Sequence, residues 1–379
     1  MNSYIETIKT AIIFFPVIAF LFTLPYILIQ YHKYGSVYFL RTIIVYSFIL
    51  YLIVAYFLVI LPLPSIEDVR NLTTPRWQLI PFSFIKDIIT AIPLQINNLQ
   101  TYIKTIKSFA FFQAFFNILL CLPFGVYLHY YFKYNLKQTI LYTFLLSLFF
   151  ELTQLSGLYF IYPRGYRLFD VDDLILNTLG GLIGYYVGNI ILKILPNREK
   201  IDAKSLQLGT KVSFLRRSTA FFLDLFLFHC IYGITKLLLT KILYINNINI
   251  WFYFFCLTMY YIVLPTLKNK QTYAHKFLNL KLSTNSEKQA KWYQIATFQF
   301  FFYFEYIGSL AMAATMITFI NNTNLFNSIE LSLIIISIAF IYLMIYIISI
   351  TKKILGKTLL YEKISGITLK STIIAPSQD

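Results

Sequence analysis

The chain has 379 residues, of which 58% are hydrophobic and only 13% charged, with a mean hydropathy of +0.67 and a formal net charge of +16. Soluble domains are about 25% charged, so an ordinary water-soluble protein is excluded. Apolar runs recur along the whole length, and they are continuous rather than alternating, so the expected fold is an all-α, polytopic integral membrane protein and not a barrel.

About nine spans are predicted, near 10–30, 42–62, 108–128, 139–157, 174–195, 218–237, 250–267, 293–319 and 330–351. Each is long enough for a hydrocarbon core of ~30 Å at ~1.5 Å per residue. Of the 32 Lys and Arg, 22 fall in the segments 31–41, 129–138, 193–217, 268–291 and 352–379, all on one side of such a chain. The positive-inside rule then puts the N-terminus outside and the C-terminus in the cytoplasm. The basic excess is an orientation signal and a contact with anionic membrane lipids, not a nucleic-acid footprint.

The first run has no basic leader and no small-residue cleavage site, and it leads straight into the second run. It reads as a retained helix. Residues 64–107 form a long outer connection with Pro64, Pro75, Pro81 and Pro93, expected to lie at the interface or re-enter. Pro123 and Gly125 are expected to bend the third span. In the fourth, Glu151 and Gln154 are i and i+3 and share a face. The loop YFIYPRGYR then brings Arg164 and Arg167 to the same outer side, and either is the expected counter-ion for Glu151.

The fifth span opens with RLFDVDDLILNTLGG, residues 167–181. Asp170 is an N-cap candidate, Asp173 stands where an acid answers a cap, and Asp172 is expected to face water. Asp173, Asn177, Gly181, Gly184 and Gly188 make one stripe, and Gly180, Gly184 and Gly188 make two overlapping GxxxG units that let another helix approach. That face serves packing within one chain or between copies of a homo-oligomer. Glu151, Gln154, Arg164, Arg167, Asp170, Asp173 and Asn177 are thus expected to converge in an outward-facing polar pocket.

Residues 196–217 carry eight charges behind a proline and read as a cytoplasmic linker between a five-helix domain, 1–195, and a four-helix domain with a cytoplasmic tail, 218–379. No repeat relates the two halves. In the second, Arg217 and Asp224 are seven apart with Ala220 between them, so the arginine is placed to neutralise a membrane carboxylate. Glu305 is a further membrane carboxylate. Cys121, Cys230 and Cys256 all lie in apolar runs and read as packing residues.

The half from about residue 40 to 192 resembles the VanZ-like family. The phrases that carry the resemblance are LIPF at 79–82, NILLCLPFG at 117–125, ELTQ at 151–154, and the spaced set from Arg167 to Gly184. It implies a role at the bacterial cell envelope, in the cytoplasmic membrane, with low-level resistance to the glycopeptide teicoplanin in the founding member. LRRSTAFFLDLFL at 215–227 resembles the start of an RDD-family domain, through Arg216, Arg217, Ala220 and Asp224. Ala274-His275 and Glu362 depart from that family's pattern.

No metalloprotease helix, Ser/His/Asp set or phosphate loop is present, and His32, His129, His229 and His275 are scattered. No cofactor or metal is called for. The favoured reading is a non-catalytic envelope protein whose pocket binds or shields an anionic or glycopeptide-like amphiphile, such as a cell-wall lipid precursor. The alternatives are an enzyme acting on lipid-linked phosphate and a transporter using Asp224 and Glu305.

Overall fold

The computed structural model describes residues 2–91, 99–242, 244, 250–284, 290–321, 337, 340, 343–344, 347–352 and 358–375. The chain divides into two compact units, Met1–Thr23 with Phe39–Ile201 and Leu24–Tyr38 with Asp202–Asp379. Among the described residues the fold is helical, with two small two-stranded sheets.

The first unit holds the first part of α1 (Asn2–Tyr34), then α2 (Phe39–Ile60), α3 (Ile66–Arg70), α4 (Ser83–Ala91), α5 (Leu99–Ile106), α6 (Phe109–Tyr130), α7 (Leu136–Leu155), a one-turn α8 (Gly157–Phe160), α9 (Val171–Ile194) and the start of α10 (Arg198–Gly209). Helix starts follow the sequence. Ser108 accepts from the Phe111 N–H, Asn135 and Gln138 form a reciprocal capping box, and Asp170 accepts from the Asp172 N–H. α6 runs on through Pro123, and the Tyr51 hydroxyl donates to the Leu120 carbonyl at 2.8 Å, one turn before the proline. The 64–107 connection carries several short elements among its described residues. It contains α3, α4, α5 and β1 (Trp77–Gln78), which pairs in parallel with β2 (Phe169–Asp170).

The glycines of α9 lie against α6 and α7 of the same chain. A Cβ on Gly180 or Gly184 would come within 3.0 Å of the Ile118 or Leu122 carbonyl oxygen, and one on Gly181 would strike the Thr143 side chain. Gly188 faces the His129 ring. At Gly180 and Gly184 side chains are excluded because the neighbour is backbone, which cannot yield as a flexible side chain does.

The second unit holds the end of α1, the rest of α10, α11 (Phe214–Lys241), α12 (Ile250–Thr258), a π-helical turn at Met259–Val263, α13 (Leu264–Leu267), α14 (Tyr273–Phe277), α15 (Trp292–Asn321) and α16 (Leu360–Ser365). β3 (Leu280–Thr284) pairs antiparallel with β4 (Ile367–Ser371), and Leu280, Leu282 and Ile367 turn into a core with Phe221, Phe298 and Phe302.

Among the described residues six helices are long and apolar enough to cross a membrane: Glu6–Tyr34, Phe39–Ile60, Phe109–Tyr130, Val171–Ile194, Phe214–Lys241 and Ile250–Leu267. That is fewer than the nine expected. α7 has 20 residues but falls outside this set, because Thr139, Thr143, Ser147, Glu151, Thr153 and Gln154 dilute its apolar character. The 293–319 span lies within the 30-residue α15. The 330–351 span lies mostly outside the described residues.

Candidate functional site

On α7, Thr139, Thr143, Ser147 and Glu151 recur every fourth residue and are all at most 3% exposed. At a 3.6-residue period they form one polar face, and that face meets α9. The Asn177 Nδ2 donates to Ser147 Oγ at 2.9 Å. Glu151 Oε2 accepts the Asp170 N–H at 2.9 Å. In a capping box the third helical residue answers the N-cap backbone. Here the acid at that position, Asp173, does not. It bonds Asn117 Nδ2 on α6, and Glu151 fills the role from α7.

Asp172 is 2% exposed rather than in water. Its carboxylate accepts from the Phe82 N–H at 2.6 Å, the Ser83 hydroxyl at 2.7 Å and the Phe84 N–H at 2.9 Å. It therefore caps α4 from another helix, and satisfies donors that α4 leaves open at its start. Burial pushes the Asp170 carboxyl up, the Asp172 N–H bond opposes this, and the Asp172 and Asp87 carboxylates add to it.

The arginines do not pair with Glu151. Arg167 Nη2 donates to the Leu61 carbonyl at 2.6 Å, just past the C-terminus of α2. Gln154 Nε2 and the Tyr166 hydroxyl reach the Val59 and Ile60 carbonyls at 3.0 and 3.3 Å. Three side chains thus satisfy the last carbonyls of α2, where the helix dipole is negative and a guanidinium is favoured. Arg164 turns to the Leu72 and Thr74 carbonyls in the connecting loop.

Glu151, Gln154, Arg167, Asp170, Asp173 and Asn177 line one cavity of about 850 Å³, and Arg164 does not. Its other wall is apolar, with Val54, Leu58, Phe116, Leu120 and Phe150. The cavity sits where α2 and α7 end and α6 and α9 begin. Its polar end carries three carboxylates and one guanidinium.

In the second unit the expected neutralisation of Asp224 by Arg217 does not occur. Asp224 accepts from the Tyr260 hydroxyl and Thr272 Oγ1, each at 2.7 Å, and from the Ala274 N–H at 3.3 Å. Like Asp172, it receives the start of a short helix. Arg217 instead pairs with Glu362 at 2.6 Å. Arg216 is fully buried and donates to the Gly209, Leu278 and Asn279 carbonyls and to Ser371 Oγ. Ala220 is fully buried in the core, and Glu305 is half-buried. His229 Nδ1 donates to the Leu225 carbonyl of its own helix at 2.8 Å.

The residues of these networks that escaped the sequence reading as site residues include Asn117, Ser147, Asp172, Tyr166, Tyr260 and Thr272. Ser147 stands one turn before Glu151 and was legible from that spacing. Asn117 and Thr272 needed the tertiary contact.

Helices of this length and apolarity, with charged groups held inside the helical assembly, define a multi-pass helical membrane protein. Within it, residues 48–193 match the family model described as VanZ/LLP1, and the chain carries a VanZ-like domain there. The match includes most of the cavity-lining residues and none of 194–379. No curated protein and no solved structure matches the chain.

Proposed function

We propose that this chain is a cell-envelope protein of the bacterial cytoplasmic membrane whose VanZ-like domain binds an amphiphile in the cavity of its first unit. The observation that carries the reading is the cavity itself: about 850 Å³, apolar along one wall, and polar where α7 ends and α9 begins. An apolar pocket with a few convergent polar groups is the usual form of a small-molecule site. The positive-inside count supports an outward opening, with the N-terminus outside, the C-terminus in the cytoplasm and 196–217 on the cytoplasmic side. The ligand then comes from the outer leaflet, as a membrane lipid, a cell-wall lipid precursor or a glycopeptide does. Sequestering such a molecule lowers antibiotic access to its target without turnover. The RDD-like phrases of the second half make that unit a membrane anchor in this reading, with Asp224 and Arg217 serving its internal structure.

The test is a glycopeptide susceptibility assay on cells with and without the chain, beside Leu58→Trp, which fills the apolar wall. The chain is expected to reduce susceptibility and the variant to abolish the effect at equal membrane abundance. Equal susceptibility with and without the wild-type chain sinks the resistance reading. Lipid extraction from purified protein, followed by mass spectrometry, tests binding separately.

A further inference from the structure

The polar end of the cavity is rich in acceptors. Each of its three carboxylates uses one oxygen within the protein: Glu151 Oε2 on the Asp170 N–H, Asp170 Oδ1 on the Asp172 N–H, and Asp173 Oδ1 on Asn117 Nδ2. The second oxygen of each has no protein donor among the described residues. Asn177 is 3% exposed and lines the same end. Its Nδ2 is committed to Ser147, whose hydroxyl points to the Asp173 carbonyl, and its Oδ1 is buried with no hydrogen-bond partner. A buried acceptor left unmade is costly, and a ligand donor relieves that cost. The single cation of the lining, Arg167, already donates toward the end of α2. The lining thus has a formal charge of −2 and four open acceptors.

We infer that the head group held by this cavity is cationic, of the ammonium class, with its apolar chain along Val54, Leu58 and Leu120. This rests on the binding role proposed above and reverses the charge expected from the sequence. An ammonium offers up to three N–H donors and no acceptor, the complement of Glu151, Asp173 and Asn177 Oδ1. No group of three His, Cys, Asp or Glu among the described residues is disposed to hold a metal ion, which favours an organic cation. An anionic head would face net repulsion from this lining.

The experiment uses the full chain in nanodiscs of zwitterionic phosphatidylcholine, with decylamine, decanol and decyl sulfate as probes that share one alkyl chain. Native mass spectrometry counts bound probe, and titration gives the relative affinity. The amine is expected to bind at least about tenfold more tightly than the alcohol, and the sulfate more weakly than either. The isosteric pair Glu151→Gln with Asp173→Asn keeps acceptors for the Asp170 N–H and for Asn117. It is expected to bring amine and alcohol affinities together by weakening the amine. Sulfate binding as tight as the amine, or an amine preference that survives the pair, overturns the charge assignment and leaves the cavity role standing. Equal binding of all three probes to wild type and to Leu58→Trp overturns the cavity role and the assignment with it. Should the paired variant fail to fold, the ranking of the three probes on wild type still decides.

Discussion

Asp172 shows how a single side chain differs from its sequence environment. In DVDD it looks like the acid most free to meet water, yet it holds two N–H groups and a hydroxyl of the 82–84 turn. Asp172→Ala leaves those part-buried donors without their acceptor, a loss of roughly 1–3 kcal/mol. The expected outcome is faster hydrogen exchange and easier proteolysis over 83–91, with the rest of the unit unchanged. The Arg217–Glu362 pair, with side chains 13% and 3% exposed, behaves differently. Removing one partner leaves a buried charge, so Glu362→Leu alone is expected to destabilise by about 3–5 kcal/mol, whereas Arg217→Met with Glu362→Leu recovers most of that in thermal unfolding. His275 is fully buried, and burial pushes its imidazole down to about 4 from the ordinary 6.5. The fold therefore holds the neutral ring. Stability from that state is complete above about pH 6.5 and is lost as pH falls toward 4, on the order of 2 kcal/mol by pH 5. Unfolding curves at pH 7.5 and pH 5 should converge in His275→Leu relative to wild type, and equal pH sensitivity in both chains removes the assignment.

Helices α6, α7 and α9 make a packing unit from two complementary stripes. α9 offers glycines and α7 offers Thr139, Thr143 and Ser147, so the three backbones approach closely and the small hydroxyls stay inside. Gly184→Ala forces α9 away from the Leu122 carbonyl and is expected to cost roughly 1–3 kcal/mol, the range for overpacking. Gly233→Ala on α11 is the control: nothing lies within 4 Å of its Cβ. There the better helix propensity of alanine is expected to stabilise by up to about 1 kcal/mol. Thermal stability of the two variants in one detergent checks both signs. The GxxxG spacing was legible in the sequence because it needs only a 3.6-residue period. Its partner was not, since the same stripe fits a second copy as well as α6, and only the contact to Ile118 and Leu122 decides between them.

Across the whole molecule, charge placement makes the strongest expectation. With 22 of 32 basic residues on one set of connections, a tag at the N-terminus is expected to be labelled in intact cells and one at the C-terminus only after permeabilisation. The reverse pattern would turn the cavity toward the cytoplasm and remove the outer leaflet as the source of its ligand. The second unit adds a feature that apolarity alone hides. Its core is assembled around β3, β4 and α16, where Leu280, Leu282, Ile367 and Leu369 alternate with polar positions over five-residue strands.

The sequence by itself determined the solvent of this protein, the helical class and the cap of α9 at Asp170. Those follow from composition and from spacings within one helix, which a linear reading can measure. The tertiary structure alone decided who holds whom. Arg167 faces the carbonyls of α2 and not Glu151, Glu151 caps α9 in place of Asp173, and Asp172 and Asp224 each receive a short helix. A charge inside a helical bundle goes to whichever donor or carbonyl end the packing leaves unsatisfied, and that is fixed only when the helices meet.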